Sequence, residues 1–258
     1  MHCTLIIHCI DVSSKIFETQ IARHVTKHII ENEFLPKDQY GFRPKHSCSD
    51  LALKVIGKAI LSINKREKFY LLQTDIAGAF DRVDREQLNK RLQEAGTPHQ
   101  LRRLLADYLK NRAFHVRTSG AQSEHYPLDV GVVQGSGLGP VMWNIFFTPI
   151  FDATKGIGIG FADDLNLITQ DRMELDNVKA SVIAACKDAR ITMEPSKETL
   201  TVFYPPRDAE NTPEQPAIRL AGILVAPALK MEEHISLALK KARTAKTQLM
   251  LLRPMAIH

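Results

Sequence analysis

Cysteine is scarce and unpatterned here. Cys3, Cys9, Cys48 and Cys186 form no CxxC pair and stand in no Cys/His spacing that a zinc ion could use. A disulfide framework is therefore not expected, and a reducing compartment is the simpler setting. Long apolar runs are lacking too. The stretch VMWNIFFTPIF is too short to span a bilayer and contains Asn144 and Pro149. The N-terminus, MHCTLIIHCID, has no basic n-region, and His8 and Asp11 break its apolar run, so it reads poorly as a signal peptide. These absences point to an intracellular, soluble protein with no membrane partner, leaving nucleus or cytoplasm and the oligomeric state open. No internal repeat is visible.

Charge of one sign is only mildly in excess, +5 over 258 residues with a pI near 9.0. That balance permits a polyanionic partner without requiring one. Its distribution is uneven. From Leu229 onward six basic residues (Lys230, Lys240, Lys241, Arg243, Lys246, Arg253) face two acidic ones (Glu232, Glu233). A hydrophobic content of 44% with 24% charged residues is that of a folded chain, long enough for one large domain or two or three lobes.

Periodicity predicts a helix over 14–33, with Ile16, Phe17, Ile21, Val25, Ile29 and Ile30 on its apolar face. His24 and His28 fall one turn apart in it, without the carboxylate of an HExxH site, which argues against a metal role. A second helix is expected over 49–63, followed by a strand, KFYLLQTDI, that runs into Asp75. Asp84 caps a helix with Gln87 as partner and Leu88, Leu92 and Ala95 inward, ending at Gly96. Thr97, Pro98 and Gln100 open another, with Leu101, Leu104, Leu105 and Tyr108 on its core face. A hairpin over 113–130, helices over 140–153 and 172–189, and a strand in ETLTVFY come next. The proline-rich 205–217 reads as an exposed loop, IRLAGILVA as a strand, and 232–252 as a basic amphipathic helix. Strands and helices mix without a regular βαβ alternation, which gives the α+β class.

Three stretches carry chemistry. In GIGFADDLNLI, Ile157, Ile159 and Phe161 alternate with glycines, and Leu165 and Leu167 resume the alternation after Asp163 and Asp164. Two adjacent carboxylates at a hairpin tip are comfortable only when solvated or holding a cation. A plain solvated turn explains them as well. In LLQTDIAGAFDRVD an apolar strand delivers a third carboxylate, Asp75, which either caps the chain or joins the pair. Three such oxygens suit two divalent ions about 4 Å apart, the arrangement for in-line phosphoryl displacement. In GVVQGSGLGPVMWN, Gly131, Gly135, Gly137 and Gly139 bracket Gln134 and Ser136 before a helix start. That is a tight turn, or a backbone that a ligand anion can approach.

In order and spacing these pieces resemble a reverse transcriptase, most of all those of non-LTR retrotransposons. QYGFRPKHSCSDLAL (39–53) is similar to the family's fingers motif, TDIAGAFDRVD to motif A, GVVQGSGLGP to motif B, FADD to motif C, PSKETLTVF to motif D and LAGILV to motif E. The resemblance implies a right-hand polymerase fold with an antiparallel palm sheet. It would place fingers in 1–70, palm with motif A in 71–90, connecting helices and hairpin in 91–126, palm with motifs B to E in 127–228 and the start of a thumb in 229–258. It implies RNA-directed DNA synthesis from dNTPs on an RNA template with a DNA primer, using two Mg²⁺ ions, with Mn²⁺ as a substitute.

Carried over residue by residue, the resemblance makes Asp75, Asp163 and Asp164 metal-binding catalytic aspartates, with the Ile76 carbonyl as a further ligand. Phe80 matches the bulky gate against a ribose 2′-hydroxyl, though a phenylalanine there also suits plain core. Gln134 and Gly135 match the nucleotide pocket, and Lys197 the lysine that protonates or neutralises pyrophosphate. Arg43 fits a fingers residue near the template, and Lys240, Lys241 and Lys246 suit duplex phosphates. Some departures stand out. An Arg-Pro-Ile-Ser segment usual before SKIFE is absent near Leu5, Val133 replaces a proline, and Gly137 replaces a bulkier residue. The resemblance thus implies a domain cut short at both ends. An inactive copy that only binds nucleic acid and a group II intron-type reverse transcriptase with maturase function are the alternatives. Viral RNA polymerases fit less well, lacking this motif B and usually carrying GDD.

Overall fold

The structure is a computed structural model that describes residues 10–118, 120–205, 215–227, 229 and 235–244. Its helices are α1 (Val12–Glu31), α2 (Cys48–Asn64), α3 (Arg85–Glu94), α4 (His99–Leu109), α5 (Gly139–Asp152) and α6 (Arg172–Asp188). Strand β1 (Phe69–Asp75) precedes two short ladders, in which β2 (Ala113–Phe114) pairs with β5 (Tyr126–Pro127) and β3 (Arg117–Thr118) with β4 (Ala121–Gln122). The hairpin expected over 113–130 is thus present as two pieces. Then come β6 (Gly158–Phe161), β7 (Asp164–Thr169), β8 (Thr199–Phe203), β9 (Ile218–Leu220) and β10 (Ile223–Val225).

The central sheet runs β6-β7-β1-β8 and is antiparallel throughout. Period-two alternation divides β1 between two cores. Leu72, with Leu165 and Leu167 of β7, faces a cluster built on α3, α4, α5 and α6. Phe69 and Leu71 face the other way, under Leu51, Val55 and Ala59 of α2 and the β9–β10 hairpin. Because both faces are covered, Leu165 through Thr169 are all buried, and the alternation expected in β7 has no solvent side. Helix α5 is apolar nearly all round because it lies inside the larger cluster.

Several expectations need correction. Ile16 and Phe17 are exposed, and Glu18 is buried in their place. The inward stripe of α1 is Glu18, Ala22, Val25 and Ile29, with Ile21 packed beside it, so the expected face holds at Ile21, Val25 and Ile29 and fails in the first turn. Helix α4 begins at His99 with Pro98 as its cap and no side-chain cap bond, while the Thr97 hydroxyl is buried without a partner. Leu104 is exposed, and Leu105 and Leu109 are the buried leucines of α4. IRLAGILVA is two strands, folded back at Ala221 and Gly222, both at positive φ (47° and 88°). The Asp84 cap holds: its carboxylate accepts the Gln87 amide at 2.9 Å. His28 Nε2 donates to the Ala95 carbonyl (3.1 Å), which gives that ring a structural partner. Residues 235–244 are helical, whereas Leu5, Cys3, Cys9, Lys230, Lys246, Arg253 and most of the 205–217 loop lie outside the described residues. Among the described residues no helix is long and apolar enough to cross a membrane.

Candidate active site

One face of the β1–β7 pair changes from apolar to polar at the same level in both strands. Leu71 lies opposite Ile168, Gln73 opposite Asn166, and Asp75 opposite Asp164. The hydrophobic residues seat this face under α2, and the polar ones continue it into an open cleft. Gln73, Asp75, Asp164, Asn166, Lys197 and Arg219 line that cleft. Gln73 Nε2 donates to Asn166 Oδ1 (3.3 Å) and to the Arg219 carbonyl (3.0 Å), tying the sheet to the β9–β10 hairpin.

Ala162 and Asp163 form the two-residue turn between β6 and β7. Ala162 has φ 58°, a left-handed conformation that such turns usually give to glycine. The surrounding structure fixes it. Its carbonyl accepts hydrogen bonds from Gln39 Nε2 (3.1 Å) and Trp143 Nε1 (3.0 Å). Residues 38–41 lie along β6, with the Gly160 amide donating to the Asp38 carbonyl (2.9 Å) and the Tyr40 amide to the Gly160 carbonyl (2.8 Å). Gly41 rests directly on the turn, and Asn144 Nδ2 donates to its carbonyl (3.0 Å). Lys54 of α2 pairs with Asp38 and anchors the segment.

Burial, with a contribution from Asp75, raises the Asp163 pKa above the usual carboxylate range. Asp164 is pushed up to about 6 by desolvation first and then by Asp163 and Asp75. Its surface remains open to water, which tempers the desolvation. Asp75 is differently placed, for its Oδ2 accepts from Lys197 Nζ, and that bond raises the lysine's own pKa. Ile76 is bridged to Met193 by bonds from the Ala77 amide to the Thr192 carbonyl and from the Glu194 amide to the Asp75 carbonyl, both 2.9 Å. That pattern leaves the amide and carbonyl of Ile76 on the opposite edge, toward β7.

Among the described residues no three His, Cys, Asp or Glu side chains converge closely enough to cage an ion. Asp75, Asp163 and Asp164 share one strand-end, but Asp75 is engaged by Lys197. The donor set still fits a hard divalent cation. It is all oxygen, burial and then neighbouring carboxylates make Asp163 and Asp164 resist ionisation, and the Lys197 ammonium pairs with Asp75.

The glycine-rich loop packs beside this cleft. A β-carbon on Gly131, at φ +86°, would lie 2.7 Å from the Asp81 carbonyl oxygen, so only glycine lets the loop meet the turn after β1. A buried polar network fixes the next segment. Glu18 accepts the Gly137 amide on Oε2 (3.0 Å) and the Tyr108 hydroxyl on Oε1 (3.0 Å). Ser136 Oγ, 3.0 Å from Tyr108 Oη, accepts the amides of Leu138 (2.9 Å) and Gly139 (3.2 Å). Burial pushes the Tyr108 phenol up to about 12, so it stays protonated as a donor. Between the anchored ends, Gln134 is half-buried and Gly135 is exposed at φ +95°. Sequence reasoning missed Glu18. The signal was its spacing, since 18, 22, 25 and 29 form one helical stripe.

Phe80 sits in a short 3₁₀ turn, half-buried, with its ring stacked on Trp143 (5.7 Å between centroids) and met edge-on by Phe42 (6.0 Å). Arg43 donates to the Pro36 carbonyl (2.6 Å) and lines a second groove with Arg23, Lys27, Tyr40 and His46. Lys240 and Lys241 are exposed on residues 235–244 and do not line the cleft.

The sequence pattern of the reverse transcriptase (RNA-dependent DNA polymerase) family matches residues 5–246. The chain is 28% identical to the probable RNA-directed DNA polymerase from transposon X-element of Drosophila melanogaster, over 86% of this chain and 26% of that protein. To the RNA-directed DNA polymerase from mobile element jockey of Drosophila funebris it is 32% identical over 53% of this chain and 16% of that protein. To the probable polymerase from transposon BS of Drosophila melanogaster it is 25% identical over 92% of this chain and 29% of that protein. The chain therefore spans less than a third of the length of these relatives. Its fold is similar to that of apo telomerase from Candida tropicalis truncated from its C-terminal domain, with a TM-score of 0.61 at 12% identity over 84% of this chain and 44% of that one. Telomerase from Candida albicans in complex with a telomeric RNA fragment gives 0.56 at 14% identity, covering 83% and 37%.

Proposed function

We propose that this chain, which belongs to the reverse transcriptase family, is the fingers and palm of a non-LTR retroelement polymerase that copies an RNA template by adding dNTPs to a DNA primer. The observation that carries the reading is the register of Asp75 opposite Asp164, with Asp163 on the adjoining turn. In the proposed division, residues 1–70 are fingers, 71–90 and 127–228 palm, 91–126 the connecting helices and hairpin, and 229–258 the beginning of a thumb.

Asp75, Asp163, Asp164 and the Ile76 carbonyl would hold Mg²⁺, with Mn²⁺ as a substitute. Bound there, the ions would supply charge neutralisation at the triphosphate and would acidify the primer 3′-hydroxyl. Lys197, kept protonated beside Asp75, is suited to give a proton or a positive charge to the departing pyrophosphate. Phe80, backed by Trp143, offers an aromatic edge against a 2′-hydroxyl. The loop at Gln134 and Gly135, anchored through Glu18, supports the base and sugar of the incoming nucleotide. Arg43 and its groove, with Lys240 and Lys241, offer cations for template and duplex phosphates.

The test is Mg²⁺-dependent extension of a DNA primer on an RNA template by this chain and by Asp163→Ala/Asp164→Ala. Extension by the parent alone supports the reading. No extension by a folded parent that still binds the duplex would leave nucleic-acid binding as its activity.

A further inference from the structure

Trp143 is the single tryptophan of the sequence and is fully buried in α5. It touches two parts of the site that lie far apart in sequence, the turn at Ala162 and the turn at Phe80. Its Nε1 donates to the Ala162 carbonyl at 3.0 Å, on the residue that precedes Asp163. Its ring stacks against Phe80 at 5.7 Å and an interplanar angle of 23°, and on Phe147 at 5.1 Å and 20°. Phe80, Trp143 and Phe147 thus form a column that ends inside the core, with Phe42 closing against the outer ring.

Each contact answers a local problem. Ala162 holds a left-handed conformation that an alanine does not favour, so its carbonyl direction depends on donors from outside the hairpin. Trp143 is one donor, and the other is Gln39, itself buried with Oε1 accepting the Gly41 amide (3.2 Å). Phe80 lies in a three-residue 3₁₀ turn and is half-buried. A ring in so short an element is held in place by what it stacks against.

We propose that Trp143 is a positioning and specificity-determining residue. Its indole N–H orients the turn that carries Asp163, and its ring sets the depth of Phe80. The rate of nucleotide addition and the preference for deoxyribonucleotides are thereby linked through one buried side chain that touches both the Ala162 turn and Phe80. This rests on the polymerase reading above. An indole that merely filled the core would affect stability and nothing else.

Because the sequence has one tryptophan, biosynthetic incorporation of benzothienylalanine replaces a single N–H by sulfur and keeps the bicyclic shape. Single-nucleotide addition with a dNTP and its matching rNTP then gives kcat and KM for the parent, this analogue and Trp143→Leu. The analogue is expected to lose about tenfold in kcat with KM for dNTP held within about twofold, since a reacting group has moved while binding has not. Its preference for dNTP over rNTP should stay at the parent value. Trp143→Leu, which also removes the stack, should lower that preference by about tenfold. If the leucine variant does not fold, Trp143→Phe, with a smaller ring behind Phe80, should lower it by about threefold. An analogue with the parent's kcat, or a folded ring variant with the parent's preference, overturns the proposal. A parent that extends no primer overturns the polymerase reading, and this inference with it.

Discussion

Glu18 and Gly137 stand 119 residues apart in sequence, and the buried carboxylate of one accepts the amide of the other at 3.0 Å. This bond ties α1 to the loop that carries Gln134. Replacing Glu18 by Gln substitutes an amide that can turn a donor toward the Gly137 N–H. Urea unfolding should show a loss of about 2 kcal/mol, since bonds to a buried charged group are the stronger kind. Tyr108→Phe, which removes one hydroxyl, should lose about 1 kcal/mol. In primer extension Glu18→Gln should raise KM for dNTP. An unchanged KM with lowered stability would confine the network to folding.

Two glycines should respond in opposite directions. A β-carbon on Gly41 would sit 2.0 Å from the Ala162 amide nitrogen, so Gly41→Ala must displace either the 38–41 segment or the turn. It should destabilise the protein by about 3 kcal/mol and reduce extension. Gly57, in the middle of α2, has nothing within 4 Å of the same point. Gly57→Ala should raise stability by about 0.5–1 kcal/mol through helix propensity alone. Thermal melts of the two variants check both signs.

The carboxylate pair should weaken the metal-free fold. Asp164 titrates near 6 when folded, against 3.8 unperturbed, so the folded state holds its proton more tightly than the unfolded chain. Its unfavourable contribution is fully present above about pH 6 and disappears as pH falls toward 3.8. In EDTA, Asp164→Asn should therefore melt above the parent at pH 7.5, and the gap should narrow on acidification. The same variant should extend no primer.

Asp84 behaves oppositely. Burial works against its charge, but the Gln87 amide and the Arg190 guanidinium (2.8 Å) outweigh burial and hold its carboxyl below the usual range. It contributes stability above the unperturbed value, and that contribution is lost as pH falls through the folded pKa. Asp84→Ala should lose about 1 kcal/mol at pH 7 as a helix cap, and Arg190→Ala less than that, its side chain being well exposed. The Asp84→Ala deficit should vanish in acid, as followed by urea midpoints across pH.

Local signals were legible and distant ones were not. Asp84 as a cap and Leu88 and Leu92 as its inward face follow from spacing within one turn or two, and the structure has them so. The adjacent Asp163 and Asp164 at a hairpin end were readable from alternation around them. Helix α1 misled because Ile16 and Phe17 extend an apolar run that the core does not meet, while a charged residue one step on finds its partners on α4 and beyond residue 136. The Asp75–Lys197 pair, 122 residues apart, has no local trace. The turn in IRLAGILVA did have one, the glycine at 222, but the β-rich residues on both sides hid it.

Strand β1 has a consequence for how the chain is made. Both its sheet partners, β7 and β8, come later in the sequence, the nearer beginning at Asp164 and the farther ending at Phe203. While the protein is being synthesised, the strand that bears Asp75 leaves the ribosome with two unpaired edges and an apolar pattern on both faces. It must wait for some ninety residues before one edge is closed and for about thirty more before the other is, at the ~5–20 residues per second of translation. During that interval of several seconds the nascent chain presents an open strand to its neighbours, and crowded ribosomes on one message would bring identical strands side by side.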